Sequence, residues 1–416
     1  MKKLLLLLII PFLSFGQGWI QSYSPGDAGK HAIQRNDGGY ALIGNADYEV
    51  YFNITGENGD VIAEQILNDY QYIQGYCLQQ TSDNGYVIIG NRANVNTGFL
   101  YKFDDNGNVE WLLSNSDIGK YYITENSDGS YITVGSSLTK IDSDGNVIWT
   151  NPNISGWEVI QTMDNGFAVA NTSCTADNDN DGICEGKLIE IIKTNNDGTP
   201  QWTYEYLAND ELWEDQWYSV NGASIQETNE GGYITIMNYT YEYFGNERYG
   251  FHLIKLDADG TVEWFQNFSE TNSSYSVNRV RLTSDNGYIV VGGHANNDGV
   301  GLWIMKTDEY GSQQWSQTYY DSSSGGYGYS IEQTDDEGYV VGGFIEGEEF
   351  VDLYGILMLK TDSEGNINST NIIETPTIKK NLITKIDILG RETSNNKGFQ
   401  LYIYDDGSVE KRYKIE

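Results

Sequence analysis

The segment CTADNDNDGICEGK, residues 174–187, has the composition and spacing of a metal-binding loop. Asp177, Asp179 and Asp181 stand at alternate positions, and Gly182 follows them directly. Carboxylates at positions 1, 3 and 5 of a loop can converge on one calcium ion, because glycine at position 6 permits the sharp turn. The spacing therefore predicts a structural calcium site.

The rest of the loop decides which type of calcium site it is. Position 12, where an EF-hand loop places glutamate, is Leu188, and the nearest further carboxylate is Glu185 at position 9. The run resembles more closely the DxDxDG calcium repeats of thrombospondin type 3 modules, over a stretch of only a few residues. We expect Glu185 to join the three aspartates as a ligand, and an acidic loop without metal is the alternative.

The cysteines bear on the same loop. Cys174 and Cys184 bracket the acidic run and could close a small disulfide loop, which would lower the entropy lost when the run becomes ordered. The chain has 3 cysteines, so one thiol is left over. That residue, Cys77, lies in the alternating run YCLQQT, which predicts a small buried side chain.

Aromatic residues in two long connections, 206–221 and 239–250, form a second candidate site. Such rings can stack on sugar rings while neighbouring carboxylates accept hydrogen bonds from hydroxyl groups. The alternative is that the rings fold back and fill gaps over the neighbouring sheet. The candidate ligand-binding residues are Trp213, Trp217, Tyr218, Tyr241 and Tyr243.

No catalytic constellation stands out. The 3 histidines, His31, His252 and His294, share no metal-ligand spacing, and structural or surface roles are expected for them. The sequence contains no nucleophile elbow, phosphate loop or zinc spacing, so no catalytic residue is predicted. The many carboxylates leave a pair at glycosidase distance open.

Internal repeats predict the elements that position these residues. The unit IQRNDGGYALIGN at 33–45 and a second unit, such as IKLDADGTVEW at 254–264, alternate along the chain. Each unit is two alternating runs joined by a tight Asp/Asn/Gly turn, which is typical of a β-hairpin. Seven copies of two hairpins predict an all-β, seven-bladed β-propeller with four-stranded antiparallel blades, and a solenoid is the alternative. The aromatic anchors of the copies are Tyr40, Tyr86, Tyr131, Phe167, Tyr233, Tyr288 and Tyr339.

Tryptophans mark the last strand of most copies. The seventh copy lacks this Trp strand, whereas WIQSY at 19–23 stands alone before the first copy. We therefore predict that residues 19–23 complete the last blade and close the ring, which removes exposed sheet edges. The hairpin turns are short, and the length variation falls on the opposite face, called here the long-loop face, where we expect binding. The tryptophans expected in the blade core are Trp111, Trp149, Trp202, Trp264 and Trp315.

Charge and the amino terminus bear on the compartment. MKKLLLLLIIPFLSFGQG begins with two lysines and a short apolar run, which predicts a signal peptide over residues 1–16. No later run is long and apolar enough to predict a transmembrane helix. The net charge of -36 argues against nucleic acid as a partner. We expect an exported protein, and a monomer.

The tail differs from the repeats. Residues 381–416 carry IDILGRE (386–392), LYIYDDG (401–407) and VEK (409–411). They resemble the C-terminal sorting domain of the type IX secretion system of Bacteroidetes, a small β module that the outer-membrane export machinery reads. The resemblance implies a secreted protein, or one on the outer-membrane surface of a Gram-negative bacterium. The predicted domains are thus a propeller at 17–370, a linker at 371–380 and this β sorting module.

Together these features predict a non-catalytic binding or adhesion propeller that recognises a glycan or another surface polymer through its long-loop face. The repeat proteins often fused to such tails look similar, and this resemblance brings no assigned reaction. An extracellular polysaccharide-degrading hydrolase or lyase and a purely structural surface protein are the alternatives.

Chelation tests the calcium prediction. Calcium bound only by the folded protein stabilises it, so EGTA should lower the thermal unfolding midpoint of the full chain. Asp179→Ala should make the midpoint insensitive to the chelator. An unchanged wild-type midpoint in EGTA would contradict the calcium site.

Overall fold

The computed structural model describes residues 18–23, 28–70, 72–176, 186–207, 218–243, 246–269, 273–296, 299–319, 325–345, 355–367, 382–387, 391, 398–404 and 409–414. The chain divides into two compact units, Met1–Asn371 and Ile372–Glu416. The described residues form strands and no helix, as the sequence predicts for an all-β protein. Among them, no helix has the length and apolarity needed to span a membrane.

The first unit is a seven-bladed β-propeller of antiparallel four-stranded sheets. Blade 1 contains β2 (Ala28–Gln34), β3 (Tyr40–Ala46), β4 (Glu49–Thr55) and β5 (Val61–Leu67). Blade 2 contains β6 (Ile73–Gln80), β7 (Tyr86–Arg92), β8 (Thr97–Phe103) and β9 (Val109–Asn115). Blade 3 contains β10 (Tyr122–Glu125), β11 (Tyr131–Val134), β12 (Leu138–Ile141) and β13 (Val147–Asn151). Blade 4 contains β14 (Glu158–Gln161), β15 (Phe167–Ala176), β16 (Gly186–Thr194) and β17 (Pro200–Leu207).

The remaining blades follow the same order along the chain. Blade 5 contains β18 (Tyr218–Glu227), β19 (Tyr233–Tyr243), β20 (Asn246–Leu256) and β21 (Val262–Phe268). Blade 6 contains β22 (Ser274–Leu282), β23 (Tyr288–Asn296), β24 (Gly299–Thr307) and β25 (Gln313–Tyr319). Blade 7 contains β26 (Gly326–Gln333), β27 (Tyr339–Ile345), β28 (Leu357–Thr361) and β1 (Trp19–Ser22).

The two ends of the propeller meet in blade 7. Strand β1 pairs antiparallel with β28, with Trp19 opposite Lys360. The Trp19 ring also meets the Tyr40 ring of blade 1 edge-on at 5.4 Å. The predicted closure of the ring is confirmed, and the solenoid alternative is wrong.

Neighbouring blades are joined by polar contacts between their first strands. The Nδ1 of His31 accepts a hydrogen bond from Leu78 N at 2.9 Å. Across the closure, Ala32 N donates to Ser330 Oγ at 2.9 Å. Glutamines near the ends of several first strands also accept hydrogen bonds from the neighbouring blade, for example Gln161 Oε1 from Ser127 N in the turn after β10, at 2.8 Å. These bonds satisfy backbone N–H groups that have no hydrogen-bond partner within their own blade.

The repeated tryptophans, predicted for the blade core, are only partly buried and pack against the core from the interfaces between blades. Trp202 of β17 is half-buried and packs edge-on against Tyr233 of blade 5, with ring centroids 5.5 Å apart. The turn between β20 and β21 covers the same indole. Gly260 in this turn has a positive φ of 82° and lies directly against the ring. A glycine is required at this position for both its backbone conformation and its lack of a side chain.

The acidic hairpin turns have a structural role. Lys102 of β8 is almost fully buried, and its Nζ lies 2.9 Å from Asp83 Oδ2 in the turn between β6 and β7. Burial by itself would raise the pKa of Asp83, but hydrogen bonds from Thr81 and Lys102 hold it at about 2. The same Lys–Asp contact recurs in blades 3, 4, 6 and 7.

Two connections expected as loops are partly strands. Residues 239–250 contain the end of β19 and the start of β20. The two strands stay paired as far as their last pair, Tyr243 opposite Asn246. Strand β15 likewise extends to Ala176 before β16 begins at Gly186. The alternating Thr and Tyr residues of 239–243 favour extended backbone, so the hairpin continues beyond the blade's usual length.

The second unit contains a three-stranded sheet in the order β29 (Leu382–Asp387), β30 (Gly398–Tyr404) and β31 (Val409–Lys414). Both neighbouring pairs are antiparallel. The chain therefore forms a small β module here.

A pair of glycine substitutions tests the contact between turn and tryptophan. Gly260→Ala and Gly231→Ala both place alanine at a positive φ, but a Cβ at Gly260 would lie 2.7 Å from the Trp202 ring, whereas none would lie within 4 Å at Gly231. We expect Gly260→Ala to lower the free energy of unfolding by about 1–3 kcal/mol more than Gly231→Ala, because it adds overpacking to the shared backbone strain. Urea denaturation measures the difference, and equal losses would refute the contact.

Candidate functional site

Seven of the eleven residues predicted to bind calcium, to form the disulfide or to bind a ligand lie outside the described residues. These are Asp177, Asp179, Asp181, Cys184, Glu185, Trp213 and Trp217. Cys174 lies in β15 opposite Lys187, and Tyr218 begins β18 opposite Tyr241 of β19. Tyr243 ends β19 opposite Asn246. The calcium site, the disulfide and the aromatic site therefore remain predictions.

Within the described part of the chain, no three His, Cys, Asp or Glu side chains are placed to hold a metal ion. The histidines are buried, His31 at 1%, His252 at 5% and His294 at 8% exposure, which agrees with structural roles. Cys77 is a buried free thiol whose pKa burial raises to about 12, so it is not a poised nucleophile.

The structure brings together a different set of residues, around the propeller axis. The first strands of successive blades contact one another in a closed ring. Several of these strands carry a β-bulge at the same level along the propeller axis, for example between Gly75 and Cys77 and between Val277 and Arg279. A bulge re-aims the side chain of its extra residue. The cavity of about 260 Å³ at this height is lined by Lys30, Tyr76, Tyr121, Trp157, Asn278, Arg279 and Tyr329.

This cavity, called here the axial pocket, opens on the long-loop face. Its residues directly precede the first strands or lie within the first two thirds of them, whereas the first hairpin turn of each blade follows the other end of those strands. The pocket therefore lies on the face where the sequence predicts binding, but at its centre rather than over blade 5.

Three aromatic rings occupy one side of the axial pocket. Tyr121 and Trp157 are stacked, with centroids 4.5 Å apart and planes inclined by 23°. Tyr76 meets Tyr121 edge-on at 5.4 Å. Trp157 is 44% exposed, and its Nε1 donates to Thr172 Oγ1 at 2.8 Å, which holds the indole in place. The stacked pair presents a fixed aromatic surface to solvent.

The other side of the pocket carries positive charge. The Nζ of Lys30 lies 3.6 Å from the centroid of the Tyr329 ring, a cation–π geometry. The guanidinium of Arg279 lies over the Tyr122 ring at 4.9 Å and also lines the pocket.

Beneath the pocket, Glu158 forms a buried ion-pair cluster. Its Oε1 lies 3.0 Å from Arg279 Nη1 and 2.8 Å from Arg281 Nη2, and its Oε2 accepts from Ile225 N at 3.0 Å. Arg281 also donates to the Tyr122 hydroxyl at 2.8 Å. Burial alone would raise the pKa of Glu158, but the two guanidiniums overcome it and hold the pKa at about 2. Glu158 is therefore a permanent anion that anchors both arginines.

Two further titratable groups adjoin this cluster. Burial, then the two arginine charges, lower the pKa of His31, so its ring is neutral and its hydrogen lies on Nε2, because Nδ1 accepts from Leu78 N. Burial raises the pKa of Glu332 to about 7, against the attraction of both arginines. Glu332 and Arg281 line a second cavity of about 560 Å³ at the opposite end of the axis.

The sequence contains a signal for the axial pocket that the search by motif missed. All pocket residues except Arg279 occupy the same place in successive copies, ten residues before the aromatic anchor, where six of the seven copies carry a lysine, an asparagine or a large aromatic. Arg279 stands one residue later in its copy. The sequence alone does not show that Lys30 and Arg279 line the same pocket, because this depends on the order of the blades around the axis.

The comparisons with known proteins concern the fold. No family model matches the sequence, and no curated protein matches it. Among solved structures, Penicillium chrysogenum α-L-arabinanase with arabinobiose matches at 11% identity over 83% of this chain and 98% of its own, with a TM-score of 0.45. Drosophila plexin A with semaphorin 1b matches at 7% over 84% of this chain and 88% of its own, with a TM-score of 0.46. Identities and TM-scores this low carry no conclusion about the function of this chain.

Substitution of the buried carboxylate tests the cluster. Glu158→Gln leaves two guanidiniums without their anion, and we expect the free energy of unfolding at pH 7 to fall by about 3–5 kcal/mol. Because the folded pKa lies below the ordinary value, this stabilisation is present above about pH 4.5 and is lost as the pH falls towards 2.

The wild-type and Glu158→Gln stabilities should therefore converge over that pH range in urea titrations. Glu64→Gln, which changes an exposed carboxylate on β5, is the control and should change stability by less than about 0.5 kcal/mol. A constant difference between wild type and Glu158→Gln down to pH 2 would contradict the assigned ion pairs.

Proposed function

We propose that the protein is an exported carbohydrate-binding propeller whose axial pocket holds the ligand without cleaving it. The observation that carries the proposal is the stacked Tyr121–Trp157 pair at the mouth of the pocket. Its exposed indole is already fixed by a hydrogen bond, so little conformational entropy is lost when a flat ligand face packs on it. Aromatic rings with polar edges suit sugars, which combine an apolar ring face with hydroxyl groups.

The chemistry of the pocket supports binding over hydrolysis. A glycosidase needs two accessible carboxyl groups on either side of the scissile bond, one of them with a raised pKa. The described residues that line the axial pocket include no Asp or Glu. Glu158, in the cluster below, is fully buried, shared by two arginines and ionised, so it cannot donate a proton at neutral pH.

The remaining parts of the proposal come from the sequence. A signal peptide at 1–16 and a type IX sorting module at 381–416 would carry the propeller to the outer-membrane surface or beyond it. Trp213, Trp217, Tyr218, Tyr241 and Tyr243 would extend the contact surface around blade 5. Calcium held by Asp177, Asp179, Asp181 and Glu185 would stiffen the connection between β15 and β16.

A glycan array tests the proposal. The full chain, with and without calcium, is applied to plant, algal and bacterial polysaccharides. We expect binding that Trp157→Ala weakens about tenfold or more, since a stacked ring contributes about 1.4 kcal/mol or more. Tyr310→Ala is the control, because Tyr310 is 64% exposed in a hairpin turn on the opposite face.

Two results would refute the proposal: no binding under either condition, or binding that Trp157→Ala leaves unchanged. Release of new reducing ends from a bound polysaccharide would favour the enzyme instead.

A further inference from the structure

We infer that the ligand of the axial pocket carries an anionic group, a carboxylate or a sulfate ester on the sugar that stacks against Trp157. This inference rests on the proposed function and adds the chemical class of the ligand. It follows from the way the ring of blades separates aromatic from cationic residues, from the charge of the cluster below, and from a buried donor that lacks an acceptor.

The pocket has one side formed by three aromatic rings and another that carries both of its cations, with the Tyr329 ring beneath Lys30. Tyr76, Tyr121 and Trp157 come from blades 2, 3 and 4, which are consecutive in the ring. Lys30 and Arg279 come from blades 1 and 6, on either side of blade 7. A sugar ring stacked on the aromatic side would therefore direct a substituent towards two cations.

The charge of the cluster beneath the pocket is not balanced. Arg279 and Arg281 share the single carboxylate of Glu158, which leaves one positive charge without a full partner. Glu332 makes no ion pair with either arginine among the described contacts, and since burial raises its pKa to about 7, it is only partly ionised at neutral pH and offsets that charge only in part. An anion beside Arg279 would complete the pairing, and charged hydrogen bonds of this kind are about twice as strong as neutral ones.

A hydrogen-bond donor in the same place is also unsatisfied. The Nε of Arg279 is buried and finds no acceptor among the described residues. The Nε2 of His31, which carries the ring hydrogen, is likewise buried without a partner. Buried donors without acceptors destabilise the folded protein. Because Arg279 lines the pocket, an anionic oxygen entering it can accept from this guanidinium.

The overall charge of -36 does not oppose this inference. At physiological salt the Debye length is about 8 Å, so distant surface carboxylates are largely screened while the cations inside the pocket are not. The protein's acidity instead suppresses polyanion binding elsewhere on its surface. The volume of about 260 Å³ lies below the range of about 300–1,000 Å³ usual for drug-sized ligands, which suits a single sugar unit.

Isothermal titration of the full chain tests the inference with matched probes. These are oligogalacturonate and alginate oligosaccharides, each beside its carboxyl-reduced product, and a sulfated galactan oligosaccharide beside its desulfated product. We expect at least one anionic probe to bind tenfold or more tightly than its neutral partner, with an affinity that falls as sodium chloride rises. The uronate and sulfate arms show which anion the pocket takes.

Lys30→Gln should reduce the ratio of anionic to neutral affinity about fivefold or more. Arg92→Gln is the matched control, since Arg92 also lies over a tyrosine, 3.9 Å from the Tyr70 centroid, but does not line the pocket. It should leave the ratio unchanged. Arg279→Gln is included only if its circular dichroism spectrum matches that of the wild type, because it also disrupts the pair with Glu158.

The outcomes separate this inference from the proposed function. Equal binding of anionic and neutral probes, lost in Trp157→Ala, would overturn the inference and leave carbohydrate binding intact. An anionic preference that Lys30→Gln does not reduce would overturn the assignment of the cationic side. Failure of every probe to bind would count against both.

Discussion

The structure depends on contacts between blades, because no four-stranded sheet here buries both of its faces alone. Trp202 lies between its own blade and Tyr233 of the next, and Trp19 makes the equivalent contact with Tyr40 across the closure. Polar bonds between first strands, such as that from Ala32 N to Ser330 Oγ, join the same interfaces at the axis. Since each blade needs both neighbours, pairing of β1 with β28 completes the last interface and stabilises the whole ring.

The same geometry places the candidate site. Seven first strands converge on the axis, so charged side chains from distant parts of the sequence meet where water is excluded. Glu158 stabilises Arg279 and Arg281 there, and the three residues form a rigid base between the two axial cavities. The proposed binding would thereby rest on the ion pairs that join blades 4 and 6, which suits a preorganised site.

Several features could be predicted from the sequence because they depend on neighbouring residues. Alternation and Asp/Gly turns indicated the hairpins, the repeat indicated the blades, and the isolated WIQSY segment indicated the closure. The extension of β19 to Tyr243 was missed because its aromatic residues suggested an exposed loop, although their alternation also favours a strand. The axial pocket was missed because most of its residues share a position in the repeat but no single residue type, and that position gains meaning only when the blades are arranged in a ring.

The sequence by itself determined the all-β class, the number of blades and the strand that closes the ring, since hydrophobic period and turn residues act over short distances. Only the tertiary structure decided which side chains share a site. Lys30 and Arg279 are far apart in sequence, and closure of the ring puts them on the walls of one pocket. The pKa of Glu158, held at about 2, likewise depends on two arginines from another blade, because electrostatic interaction depends on distance in space and on exclusion of water.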